Sequence, residues 1–417
     1  MQLMEERDSV KWLHRRAGFG LPPAQMRAAI DRGFVAELDR LLDRSAIADA
    51  VAADPWDNDS LPFDPMDAPS RRYAVGRWID AMVATEQPLV DRMTWLWHGH
   101  FVSAIDKVRV ARFMVDQIRL LRSAGLGDTR TLVRSLTIDP AMAVYLDLRT
   151  STEEVPNENY SRELLELFTL GEGSYTEDDV QAGAAALSGW ALDRGTAELV
   201  FRPRRHDDQP QRFLGVEGVH DLDTVIDAVM AHPALPLFLA GTITQELLGE
   251  NDADLVAELA RDFASSGFVI ADLVRAALTT GAERVAAPLV LGPLPWLVIA
   301  VRTSAARLEV AQATRLLRTA GQLPMLPPNV AGWSGGAAWF NASSLVARAN
   351  LAALVAADAT DEDVLAAAEG DDMDVLADAL GLPAAGFDDQ SRAALNAAPS
   401  GRDRLAVAFV TPEFMIA

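Results

Sequence analysis

Apolar residues recur along most of this chain at the three- and four-residue spacing of amphipathic helices. Examples are the runs Arg71 to Glu86, Pro88 to Phe101, Val108 to Ser123, Leu255 to Ser265 and Ala305 to Thr319. Strand-like patterns are few. The clearest lies in Ala197 to Val216, where Leu199 to Phe201 and Arg212 to Leu214 flank a polar stretch with Pro203 and Pro210, and it predicts a hairpin or extended excursion. The pattern defines a mainly α protein, a two-lobed helical array with one small β-hairpin excursion. The divisions expected are a helical lobe over 1–195, a hairpin connector over 196–217, a second helical lobe over 218–349 and an Ala/Asp-rich helical tail over 350–417. Trp56 to Ser70, with several prolines and aspartates, reads as a surface loop. The longest uncharged run, Val285 to Val301, is interrupted by Pro288, Gly292, Pro293 and Pro295. It falls short of the roughly 20 residues a spanning helix needs, so a buried or loop-forming segment is expected and no membrane insertion.

Charge narrows the partners. Sixty acidic against 37 basic residues give a net charge of −23, which repels phosphate backbones and anionic lipid, so nucleic acid is not expected to bind. Between Arg348 and Arg392 there are 11 acidic residues and no basic one, either an acidic docking face or short solvated helices. Cysteine is absent, which removes disulfides, thiolate metal sites and cysteine nucleophiles. Lys11 and Lys107 are the only lysines, and no phosphate loop, H-E-x-x-H run or EF-hand loop occurs. The first 20 residues lack the basic start, apolar middle and small-residue cleavage site of a secretory signal, and a cytoplasmic location is expected.

The densest chemistry lies between Pro156 and Trp190. Asn157 is a good N-cap, and 100° steps from it place Tyr160, Leu164, Leu167, Phe168 and Leu170 on one apolar arc with Asn159, Arg162 and Glu166 opposite. Gly171 and Gly173 end this helix, and Thr176 with Asp179 forms a capping box for the next. Glu158, Arg162 and Glu166 recur every four residues, the spacing of a surface ion-pair ladder. Glu163 falls inside the apolar arc, where a carboxylate must be paired, hydrogen-bonded or protonated. Arg15, Arg16 or Arg134 is the expected partner, with Arg162 turned outward, and Glu158, Arg162 and Glu163 are the candidate catalytic groups.

Six histidines make placement informative. His98 and His100 in WLWHGHF point about 200° apart on a continuous helix and can share a metal only if Gly99 breaks it. His206 and Asp207 have the look of a ligand pair or of an ordinary turn, and the four together form the candidate metal set. Gly321 to Ser344 is a proline- and glycine-rich loop that delivers Trp333, Trp339 and Asn341 either to a pocket or to rigid packing.

The segments WLHRRAGFG (Trp12 to Gly20), WLWHGHF, IDPAMAVYLD (Ile138 to Asp147), PNENYSRELLELFTLG, YTEDDV with the later SGW, HDDQPQRFLG (His206 to Gly215), PPNVAGW (Pro327 to Trp333) and TPEFM (Thr411 to Met415) follow in order. Together they resemble the large bacterial family catalogued as domain of unknown function eighteen-hundred. The resemblance covers nearly the whole chain. It implies a largely helical fold with no established reaction, relatives that are often exported, and a sulfatase-like family of unknown function encoded beside them. This chain departs from the family at LRTSTEEV (Leu148 to Val155), where relatives tend to carry asparagine and lysine, and at Phe168, where many have histidine. Two readings follow. One is a helical accessory or scaffold protein acting with a protein partner, for which the sulfatase-like family is a candidate. The other is a metal-assisted hydrolase or oxidoreductase in which His98, His100, His206 and Asp207 hold a divalent ion and Glu163 or Glu158 acts as base.

Overall fold

In the computed structural model the described residues are 4–64, 66–193, 196–284 and 287–417. Of these residues 65% are helical, 24 α-helices with a few 3₁₀ and π turns, and four short strands form two separate antiparallel pairs. The front of the chain supplies α1 (Glu6–Arg16), α2 (Ala68–Ala84), α3 (Pro88–His100), α4 (Ala111–Ala124), α5 (Glu158–Glu163) and α6 (Glu177–Ala186). The rear supplies α7 (Ala234–Leu248), α8 (Pro293–Ser304) and α9 (Ala342–Ala357), followed by shorter helices.

Apolar periodicity locates the helices to within a few residues because each buries one stripe against its neighbours. α3 buries nearly all of its surface: Pro88 to His98 are buried without a gap. Pro88 starts it, since proline's fixed φ suits the first helical position and its missing N–H would have no partner there. The uncharged run becomes α8, a core helix opened by Pro293 and buried over Pro293 to Val301; Val285 and Ala286 lie outside the described residues. Among the described residues no single helix is long and apolar enough to cross a membrane. Leu222–Ala231 and Ala234–Leu248 reach that length only together, across a 76° bend.

The strands fall where alternation places them but do not pair with each other. β1 (Trp190–Leu192) pairs with β2 (Leu199–Phe201), and β3 (Gln211–Phe213) pairs with β4 (Val216–Val219). Between β2 and β3 a short 3₁₀ turn at Pro203–Arg205 and Pro210 interrupt the backbone donors that a single long hairpin would use. One apolar cluster runs from Val10 to Met415, so packing crosses residues 195, 217 and 349 without interruption.

In the tail, Asp361, Asp372 and Asp388 cap helices, and Asp378 accepts from Lys11 Nζ at 2.7 Å. Part of the acidic stretch therefore builds the fold. The front of the chain also grips residues 414–417: Arg15 donates to the carbonyls of Phe414 and Ile416, and Arg16 to those of Leu247, Ala287 and Ala417. WLHRRAGFG and TPEFM are thus two halves of one contact.

Candidate functional site

The face of α3 that carries Arg92, Trp95, Leu96 and Gly99 repeats at three and four residues, with His100 at its edge, and forms one wall of a cleft of about 500 Å³. Thr242, Gln245 and Glu246, on one face of α7, form a second wall. Leu289 to Gly292 and Gln322 close a third side, and Trp333 to Gly336 with Trp339 close the last. The glycine-rich loop therefore lines a pocket and packs rigidly at once: Trp333 stacks on Trp95, with ring centroids 4.6 Å apart and an interplanar angle of 22°.

Gly99 does not break α3. It faces the Trp333 ring, which a Cβ there would meet at 3.6 Å, an ordinary van der Waals contact. Gly332 has a left-handed φ of 80°, and a Cβ on it would stand 2.2 Å from the Gly99 carbonyl oxygen. Because the helix is continuous, His98 and His100 leave it on different sides. His98 is fully buried, ringed by Trp78, Trp95 and Trp333 at centroid distances of 5.1, 6.4 and 5.6 Å. Neither of its ring nitrogens has a hydrogen-bond partner, and burial pushes its pKa down to about 3.

His100 Nε2 lies 2.9 Å from the carbonyl oxygen of Phe168. A carbonyl can only accept, so Nε2 carries the proton and Nδ1 keeps its lone pair. Burial, opposed by that bond, lowers the His100 pKa to about 4, and the ring is neutral near pH 7. Phe168 offers its carbonyl because the signature helix changes winding. After α5, capped by Asn157 as expected, Leu164–Thr169 is π-helical, and the Leu170 N–H reaches back five residues to the Leu165 carbonyl at 3.0 Å.

That change of winding overturns the expectation for Glu163. The apolar arc was drawn through Leu167 and Leu170 at 100° per residue, and the wider π turn moves both. Glu163 is only half-buried and makes no ion pair among the described residues. Burial and the nearby Glu166 raise its pKa, with Arg162 opposing. Arg15 and Arg16 serve residues 414–417, and Arg134 pairs with Asp223 at 2.7 Å. Arg162 does turn outward, to Glu158 at 3.2 Å and Glu177 at 2.6 Å, while Glu166 accepts from the Tyr175 hydroxyl.

The candidate metal set is not brought together. His206 faces the carbonyls of Ser188 and His220, at 3.0 and 2.9 Å. Asp207 receives the Gln209 N–H in a tight turn, and its own N–H donates to the Ser188 hydroxyl. Gly189 lets this segment close, since a Cβ there would lie 2.7 Å from the His206 Cβ. Among the described residues no group of three or more His, Asp or Glu side chains is arranged to hold a metal ion.

Arg92 and Glu246 escaped the sequence reading. Arg92 is 6% exposed; its Nε donates to the Arg16 carbonyl at 3.1 Å, and its two terminal nitrogens have no partner among the described residues. Every fully covered unpartnered nitrogen would be an orphan inside the protein, and these two are not among the orphans, so they open on the cleft. Glu246 is exposed on the cleft, and desolvation by the surrounding protein raises its pKa against the pull of Arg92. Gly332 to Gly336 also spells the G-x-S-x-G spacing of a nucleophile elbow. It lies in a loop with no strand before it, and Ser334 hydrogen-bonds to no base, so it lacks the geometry of one.

Two larger grooves, of about 690 and 720 Å³, differ in having their cations engaged: Arg32 and Arg40 are held by Glu37, and Arg122 faces Asp91 at 3.4 Å.

Fold and site together define a class: a mainly helical protein in which the WLWHGHF and PPNVAGW segments meet at a tryptophan-lined cleft. The chain belongs to the family described as Protein of unknown function (DUF1800), which matches residues 12–416. No curated protein and no solved structure matches it.

Proposed function

We propose that this protein is a helical accessory protein that acts by binding, with the cleft between α3, α7 and the Trp333 loop as its recognition site. Its work is done alongside a protein partner, for which the family resemblance offers a sulfatase-like protein. One observation carries this reading. Segments far apart in the sequence meet at a cleft where the terminal nitrogens of Arg92, the Glu246 carboxyl and the His100 Nδ1 make no hydrogen bond or close ion pair among the described residues. Small-ligand sites share its volume range, about 300–1,000 Å³, and its fixed polar groups set beside aromatic side chains; the lining of this cleft is more polar than apolar. The metal-assisted hydrolase or oxidoreductase reading requires His98, His100, His206 and Asp207 on one ion, and these side chains face different neighbours.

Blocking the cleft tests the proposal. Gly335 lines it, has an ordinary φ and has open space where a side chain would begin, so Gly335→Trp fills the cleft without straining the backbone. Thermal-shift screening of a chemically broad panel should yield stabilising ligands for the wild type whose effect is lost in Gly335→Trp. Ligands that stabilise both proteins equally would place recognition elsewhere.

A further inference from the structure

The chemistry of the cleft narrows what it receives, an inference that rests on the cleft being the recognition site. Arg92 is the decisive group. Its guanidinium is nine-tenths buried, fixed through Nε on a backbone carbonyl, and presents to the cleft two terminal NH2 groups that make no hydrogen bond among the described residues. A guanidinium held in this way offers the paired donors that match a carboxylate or a phosphate oxygen by oxygen. The rest of the site favours the smaller charge. Glu246 stands on the same cleft, and the whole chain carries a net charge of −23, so a dianionic phosphate meets more repulsion than a monoanionic carboxylate.

Beside the cation lie flat surfaces. Trp95, Trp333 and Trp339 all contribute to the lining, and the Trp95–Trp333 stack fixes two of them as a wall against which a ring can lie. Two turns further along α3 the neutral His100 offers an acceptor, because the Phe168 carbonyl holds the proton on Nε2 and leaves Nδ1 free. A hydroxyl on the ligand can donate to it.

We propose that the cleft binds a small organic acid in which a carboxylate is attached to a six-membered ring, the carboxylate on Arg92, the ring against the tryptophan wall and a ring hydroxyl donating to His100 Nδ1. A sugar acid and an aromatic acid share this chemistry, and the test separates them.

Isothermal titration of the full chain would use four probes: D-glucuronate, 4-hydroxybenzoate, D-glucose and inorganic phosphate. One of the two carboxylates should bind, and which one identifies the ring. Glucose and phosphate should bind at least about tenfold more weakly. Arg92→Gln should weaken the bound carboxylate about tenfold or more, with circular dichroism confirming that the variant is folded. If Arg92→Gln unfolds, His100→Phe takes its place: it keeps a ring and should cost affinity for the hydroxylated acid while leaving benzoate unchanged. The proposal is overturned if glucose binds as tightly as glucuronate, if phosphate binds more tightly than both acids, or if no probe binds. The broader binding reading stands or falls separately. Neutral or basic ligands that stabilise the wild type but not Gly335→Trp would uphold the cleft and remove the carboxylate.

Discussion

The Trp333 indole lies on the Trp95 indole at a centroid distance of 4.6 Å, and the residue before it, Gly332, rests against the carbonyl of Gly99. This pair ties the glycine-rich loop to the cleft wall of α3. It also explains Gly332, which supplies a left-handed turn at the point of closest approach.

Gly332→Ala should therefore be costly. The added Cβ meets a backbone oxygen, which cannot swing aside as a flexible side chain would, and the residue must also keep a positive φ. We expect a loss of about 2 kcal/mol or more and altered tryptophan fluorescence as Trp333 leaves Trp95. A variant with wild-type stability in urea and an unchanged emission spectrum would refute the contact.

Acid should weaken the protein through its two neighbouring histidines. Burial holds His98 at about 3 and His100 at about 4, so both stay neutral in the fold where the unfolded chain protonates at about 6.5. Their contribution is complete above pH 6.5 and lost as pH falls toward 4 and 3, on the order of 3 kcal/mol per residue. His98 makes no hydrogen bond, so His98→Leu should cost little at pH 7 and flatten the decline in stability below pH 6.5. An undiminished slope in urea titrations at stepped pH would show that His98 is not the source.

Asp139 should act in the opposite sense. Burial raises its carboxyl to about 7, against hydrogen bonds from the Met142 N–H and the Gln117 amide. The folded protein holds a proton there that the unfolded chain has lost above its ordinary carboxylate pKa. Stability from this group is present below pH 3.8 and declines as pH rises to about 7. Asn caps a helix as well as Asp does, so Asp139→Asn should gain on the wild type between pH 4 and 7, by on the order of 3 kcal/mol. A constant difference between the two proteins over that range would contradict the shift.

Glu163→Gln should leave stability within about 1 kcal/mol of the wild type, or raise it. The substitution removes a half-buried carboxylate that faces Glu166 and has no ion pair to lose. A loss of about 3 kcal/mol or more would restore the buried pairing that the helical wheel suggested.

Which features the sequence reveals follows from how locally each is determined. The helices around Pro88 and Asn157, the Thr176–Asp179 capping box and the strands at 199 and 211 are set by neighbours within a few residues, and the sequence displays them. The pairing of those strands depends on Trp190 and Val219, segments whose own patterns are weak. At the cleft, tryptophans and glycines are conspicuous and point to Trp333. Arg92 and Glu246 look like any charged residue on an amphipathic helix, and only the approach of α3 to α7 gives them a shared cavity. The π-helical stretch has no compositional mark in LLELFT, so neither the outward shift of Glu163 nor the Phe168 carbonyl beneath His100 could be read in advance.

The grip of Arg15 and Arg16 on residues 414–417 bears on the order in which the protein is made. Carbonyls that the buried guanidiniums of α1 require lie some 400 residues downstream of it, a delay on the order of 20–80 s at about 5–20 residues per second during synthesis. Burying those cations before then carries a desolvation cost. Complete docking of α1 is thereby tied to residues 414–417.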